Sequence, residues 1–208
     1  MDRTSPIRLG VLLSGGGRTL QNICDQIAAG RLAATVEVVV SSRPGAYGIE
    51  RAWRADIPVR IVDRRAATAR EFDEAVTETL AAAVVELVCM AGFLSLWRIP
   101  TRFQGRVMNI HPALLPDFGG EGYYGHHVHE AVLAAGCTES GCTVHFCDNQ
   151  YDHGPIILQR RVPVLPDDTA DTLAARVFEQ ECIAYPEAIR LFAEDKLQIN
   201  GQEVVIRR

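Results

Sequence analysis

Apolar residues along the chain fall into short continuous runs that alternate with stretches of helical spacing. Ile7 to Leu13 is such a run, closed by Ser14-Gly-Gly-Gly17. Thr19 to Ala29 then sets Leu20, Ile23 and Ile27 on one side of a helix, with Gly30 as its stop. Val36 to Val40 reads as a second buried strand, punctuated by Ser41-Ser-Arg-Pro-Gly45. A helix from about Tyr47 to Ala55, a strand at Val59 to Val62, a helix over Ala69 to Ala83 and a strand at Leu87 to Ala91 follow. A proline-marked turn and helix near Pro100 leads to a strand at Arg106 to Ile110. Strands separated by helices predict a parallel sheet covered on both faces.

The pattern changes in the second half. A polar, glycine-rich loop covers Asp117 to Gly125, and a helix is expected over Val128 to Ala135. Cys142 to Cys147 and Pro155 to Val164 flank a turn at Asp148 to Gly154 and read as an antiparallel hairpin. A long helix is expected from about Thr169 to Glu181, capped near Asp167 or Asp168, with Pro186 bending or restarting it. Leu197 to Ile206 reads as a small hairpin about Asn200-Gly201. The fold class is therefore α/β, a parallel N-terminal sheet half extended by antiparallel C-terminal strands. A chain of 208 residues fits one domain, residues 1–208.

Composition narrows the function classes. A net charge of −5 gives no overall attraction to nucleic acid or anionic membranes. No apolar run approaches the ~20 residues that span a bilayer. The N-terminus, Met1 to Pro6, lacks a secretory core, so a cytoplasmic protein is expected. The six cysteines form no Cys-x-x-Cys pair, which favours reduced thiols over disulfides or a zinc site. His126, His127 and His129 cluster at a helix start without the further ligands of a metal centre, and no metal is expected. His145, in a strand, reads as structural or sheet-facing.

Three segments carry candidate chemistry. Ser14-Gly-Gly-Gly17-Arg18-Thr19 joins a strand to a helix, so its backbone can approach an anion closely at the helix N-terminus. The same residues also suit a plain tight turn. Leu20 stands where a dinucleotide fingerprint needs glycine, and Ser41, Ser42 and Arg43 stand where it needs a ribose-binding acid. Asn109-Ile-His111-Pro112 lies at the C-terminal end of a strand, where open α/β sheets bind ligands. Alternation puts Asn109 and His111 on one side, an amide donor beside a group that titrates near neutrality. Asp152, in Tyr151-Asp-His-Gly-Pro155, can fold over the sheet edge to meet His111, although Asp-x-Gly-Pro is also ordinary turn chemistry.

Together these segments resemble the phosphoribosylglycinamide formyltransferase family. The residues that carry the resemblance are Leu13 to Leu20, Met90-Ala-Gly-Phe-Leu94, Met108-Asn-Ile-His-Pro-Ala-Leu-Leu-Pro116, Gly141-Cys-Thr-Val-His-Phe146 and Tyr151 to Gln159, in order over nearly the whole chain. The resemblance implies a Rossmann-like formyltransferase fold, with 10-formyltetrahydrofolate as co-substrate and small-molecule partners. The chain would be a monomer or homodimer. Asn109, His111 and Asp152 would be catalytic: Asn109 and a protonated His111 stabilise the oxyanion, while Asp152 raises the His111 pKa. Gly17, Arg18, Thr19 and Glu181 would hold the nucleotide. Arg70, Leu94, Ser95, Leu96, Trp97 and Asn109 would hold the folate. Two departures stand out. Gly17-Arg18-Thr19-Leu20 replaces the frequent Gly-Ser-Asn-Leu, and the Asp117 to Gly125 loop is longer than in compact members. The resemblance leaves a formyltetrahydrofolate hydrolase, a sugar-nucleotide N-formyltransferase and a non-catalytic folate- or nucleotide-binding protein as alternatives.

Overall fold

In the computed structural model, which describes residues 5–207, the alternating runs become alternating strands and helices. The N-terminal stretch read for a targeting signal begins in residues 1–4, which lie outside the described residues. Contacts divide the chain after Met108.

In the unit up to Met108, β1 (Ile7–Leu13), β2 (Ala34–Ser41), β3 (Val59–Ile61) and β4 (Leu87–Met90) pair in parallel, in the order β3-β2-β1-β4. Helices α1 (Arg18–Ala28), α2 (Gly48–Arg54) and α3 (Ala69–Ala82) make the crossovers that parallel pairing requires. Helix α3 starts on a capping box: Thr68 Oγ1 accepts from Glu71 N, and the Glu71 carboxylate accepts from Thr68 N at 2.9 Å. Its Phe72, Val76 and Leu80 recur every four residues and are buried, as one face of a helix on a sheet demands. The helix expected near Pro100 is a single 3-10 turn, Thr101–Phe103.

Strand β5 (Val107–His111) runs across the dividing point and opens the second unit at Asn109. There α4 (His126–Ala134), β6 (Glu139–Phe146), β7 (Ile156–Pro163), α5 (Ala170–Ala193), β8 (Leu197–Asn200) and β9 (Glu203–Ile206) follow. The strand order is β5-β6-β7-β9-β8. The β6–β7 and β8–β9 pairs are the two antiparallel hairpins expected. The mixed α/β class is as read, with parallel strands first and antiparallel strands after.

Two expectations for α5 need correction. The helix does not stop at Glu181 or restart at Pro186; it runs through Pro186 to Ala193. Proline there removes one donor to the carbonyl four residues back, but Ala184, Tyr185, Pro186, Ala188 and Ile189 are all buried, and that packing holds the turn. The cap is Thr169, which accepts from Thr172 N, and not Asp167 or Asp168. Asp168 instead accepts from Leu165 N at 2.7 Å and pairs with Arg176 at 2.6 Å. Among the described residues no helix is long and apolar enough to cross a membrane.

Candidate active site

The glycine turn belongs to the first unit. Gly17 has φ 70°, and a Cβ there would meet the Gly48 Cα at 2.6 Å. Only glycine satisfies both the left-handed backbone and the close approach of α2. The turn is pinned from the same side: Gly48 N donates to Gly15 O at 3.0 Å, and Arg51 Nε donates to Gly16 O at 2.9 Å. Helix α1 has no acidic residue in its first turn and no side-chain cap, so no carboxylate opposes an anion at that end. Arg18 is exposed and Thr19 half-buried.

The residues assigned to the folate by resemblance have mixed surroundings. Leu94 and Leu96 are exposed and Ser95 is half-buried, while Leu94 N donates to Ser14 Oγ at 2.9 Å. Trp97 is fully buried; its indole N–H donates to Thr77 Oγ1 at 3.1 Å and its ring packs on Phe103. Arg70 is exposed and ion-paired with Glu74 one helical turn on.

In the second unit, the segment after β5 is fixed by β6 and β7. Thr143 Oγ1 accepts from Leu115 N and donates to Ala113 O at 2.6 Å, and Gln159 Nε2 donates to Leu115 O at 2.8 Å. The strand end that carries Asn109 and His111 is thereby held. Asp152 meets it from the β6–β7 loop. Its Oδ2 lies 3.4 Å from His111 Nδ1, and its Oδ1 accepts from Asn109 Nδ2 at 3.2 Å.

His145, read from the sequence as structural or sheet-facing, completes the cluster. The Phe146 carbonyl accepts from His145 Nδ1 at 2.9 Å, so His145 Nε2 is the acceptor for the second Asn109 amide hydrogen, at 3.1 Å. The available signal was period-two alternation: His145 shares a face of β6 with Thr143, beside the register shift at Val144/His145.

The Asp117 to Gly125 loop covers the same groups. His111 Nε2 donates to the Phe118 carbonyl at 2.7 Å, and Gly120 N donates to Asp152 Oδ2 at 3.0 Å. Every polar hydrogen of Asn109 and His111 aimed at this centre therefore has a partner within the unit.

Burial sets the charge state. His111 is 4% exposed, and burial pushes its pKa below the ordinary 6.5 despite the opposing pull of the Asp152 carboxylate and the Phe118 carbonyl. The expectation of a raised His111 pKa is reversed, because desolvation outweighs the carboxylate. For Asp152, burial pushes up, but the neighbouring His145 and His111 and the Gly120 N–H together bring its pKa below 3.8. The resting pair is a neutral imidazole beside a carboxylate. Glu181 is half-buried in mid-α5, near enough to Cys142 to help raise the thiol pKa. Among the described residues no group of three or more His, Cys, Asp or Glu side chains is arranged to hold a metal ion.

The formyl transferase family model matches residues 7–189. The chain is 36% identical over 195 residues to a phosphoribosylglycinamide formyltransferase of Haemophilus influenzae, covering 92% of this chain and 90% of that protein. It is 39% identical over 200 residues to the trifunctional purine biosynthetic protein adenosine-3 of Gallus gallus; that match takes in 95% of this chain but 19% of the longer protein. The solved structure of glycinamide ribonucleotide transformylase 1 from Symbiobacterium toebii superposes with a TM-score of 0.92 at 46% identity, over 99% of this chain and 96% of that one.

Proposed function

Because the chain belongs to the formyl transferase family, we propose that it transfers the formyl group of 10-formyltetrahydrofolate to the amine of 5-phosphoribosylglycinamide. The observation that carries this reading is the joined set of Asn109, His111 and Asp152, with Asp152 Oδ2 at 3.4 Å from His111 and Oδ1 accepting from Asn109. The acceptor amine attacks the formyl carbon, and negative charge grows on the carbonyl oxygen. Asn109 Nδ2 and a neutral His111 Nε2–H donate to that oxygen, exchanging their internal partners, the Phe118 carbonyl among them, for the substrate. Asp152 fixes Asn109 through Oδ1, lies 3.4 Å from His111 Nδ1 where it supports the imidazole as that ring takes up a proton, and takes part in moving the proton from the amine to the leaving folate nitrogen. Gly17, Arg18, Thr19 and Glu181 hold the acceptor nucleotide; Arg70, Leu94, Ser95, Leu96 and Trp97 serve the folate, Trp97 from within the core behind the others. No metal takes part.

The test is a spectrophotometric assay of purified full chain with 10-formyltetrahydrofolate, offering glycinamide ribonucleotide, water or a sugar-nucleotide amine. Turnover should be fastest with glycinamide ribonucleotide and indifferent to chelator. Faster turnover with water or the sugar-nucleotide amine would reassign the acceptor, and binding of both substrates without turnover would overturn the enzymatic reading.

A further inference from the structure

The second unit ends in a hairpin whose outer strand is open. Strand β8 pairs with β9 on one side and stands last in the order β5-β6-β7-β9-β8. Arg207 N donates to Lys196 O at 2.8 Å. Antiparallel bonding alternates along a strand, so Lys196, Gln198 and Asn200 turn their backbone groups to β9, while Leu197 and Ile199 turn theirs outward. Proteins usually blunt such an edge with a charge, a proline or a bulge. Strand β8 is short, but it reads Leu-Gln-Ile-Asn and pairs in even register, so it has none of the three.

The side chains of the hairpin divide by face. The register sets Leu197 beside Ile206 and Ile199 beside Val204, so one face is wholly apolar. Ile199 is 39% and Ile206 44% exposed, and Leu197 and Val204 are half-buried. The other face is mostly polar and bonded within itself: Gln198 Oε1 accepts from Arg207 Nη2 at 2.8 Å, and Gln198 Nε2 donates to Asn200 Oδ1 at 3.2 Å. Open backbone groups and exposed apolar side chains thus coincide on one strand.

We propose that β8 pairs antiparallel with β8 of a second copy of this chain, about a two-fold axis through Gln198. That register engages both outward residues: Leu197 faces the partner's Ile199, and Ile199 faces the partner's Leu197. Each apolar row then continues across the axis, Ile206 and Leu197 meeting the partner's Ile199 and Val204. The charges agree with it. Lys196 and Arg207 stand at the open end of the hairpin and Glu203 at its turn end, so antiparallel pairing brings the basic end of each copy to the acidic end of the other. A parallel pairing would set like charges together.

Sedimentation equilibrium of the full chain from about 1 to about 200 µM, the range a small interface calls for, tests the pairing. Wild type should show a reversible monomer–dimer equilibrium. Ile199→Lys puts a charge into the apolar rows twice per dimer and should raise the dissociation constant about tenfold or more. Ile61→Lys, at a similarly exposed isoleucine of the edge strand β3, should match wild type. Circular dichroism confirms that each variant is folded. The register is read by oxidative cross-linking. On the axis the two Cα atoms of position 198 lie about 4.5 Å apart, within disulfide reach. Gln198→Cys should therefore give a cross-linked dimer that wild type, with its native cysteines, and Gln202→Cys in the turn do not. A wild type that stays monomeric over the whole range, an unchanged dissociation constant in Ile199→Lys, or no cross-link in Gln198→Cys overturns the proposal. No readout depends on turnover, so failure of the catalytic reading would leave this result standing.

Discussion

Asp152 adopts φ 51°, a left-handed conformation that costs a non-glycine residue energy unless its surroundings hold it. The surroundings do: Asn109, Gly120 and the two histidines converge on its two oxygens. Replacing it by Asn keeps the shape and removes the negative charge beside His111 and His145. Asp152→Asn is expected to lower turnover by on the order of 10²–10⁴ while circular dichroism and urea unfolding stay near wild type; wild-type rates would remove Asp152 from the mechanism. Gly119 is the neighbouring test. A Cβ there would run into Leu115 Cδ2 and stand 3.3 Å from Asp152 Cβ. Gly119→Ala should therefore displace the loop, cost roughly 1–3 kcal/mol in urea unfolding, and alter turnover with it, since Phe118 and Gly120 on either side bond the site. Unchanged stability and turnover together would mean that the loop has room the geometry denies it.

At the scale of elements, local patterning was legible where one principle dominated. The Ile7–Leu13 strand is placed to the residue, and α3 and the Asn200-Gly201 hairpin are placed nearly so, because periodicity and turn chemistry agree there. Helix α5 was misjudged because Pro186 is a strong local breaker, and only tertiary burial of its neighbours overrides it. Its cap was misjudged because three candidate residues, Asp167, Asp168 and Thr169, stand in a row. Asn109, His111 and Asp152 were legible as a set through strand-end position and motif. His145 was not, because a histidine within a β-strand looks the same from sequence whether it faces a core or an active centre. The charge of His111 was misread for a related reason: a carboxylate partner is visible in sequence, but the desolvation that outweighs it is not. The corrected cap yields its own prediction. Thr169→Ala removes the side-chain acceptor for Thr172 N and should cost about 1 kcal/mol of unfolding free energy. Asp167→Ala should cost almost nothing by the same urea measurement, and a reversed order would return the cap to the aspartates.

For the molecule as a whole, the buried and paired titratable groups predict a stability profile bounded on both sides. His111 has a folded pKa below 6.5, so as pH falls through that value the unfolded chain takes up the proton first, and stability drops. Asp152, Glu71 and Asp168 are depressed as well: Asp152 by His145, His111 and Gly120 against the upward push of burial, Glu71 by its Thr68 bonds, and Asp168 by Arg176. Their contribution is intact above the ordinary carboxylate range and is lost below it, so a second acid decline follows the first. At the alkaline end the sign reverses. Burial, helped by Glu181, pushes the Cys142 thiol from 9.0 up to about 12, and burial also raises Cys24. A raised thiol stabilises the fold below pH 9 and loses that contribution as the unfolded chain ionises above it. The melting temperature should therefore be highest between about pH 7 and 9 and decline on both sides. His111→Gln isolates the first acid step, since it removes the neutral-histidine contribution and should flatten the decline between about pH 6.5 and 5 while leaving the carboxylate decline in place. A wild-type melting temperature that stays constant, or rises, as pH falls from 7 to 5 would show that His111 is charged in the folded protein, and the oxyanion donor in the proposed reaction would then be an imidazolium instead of a neutral imidazole.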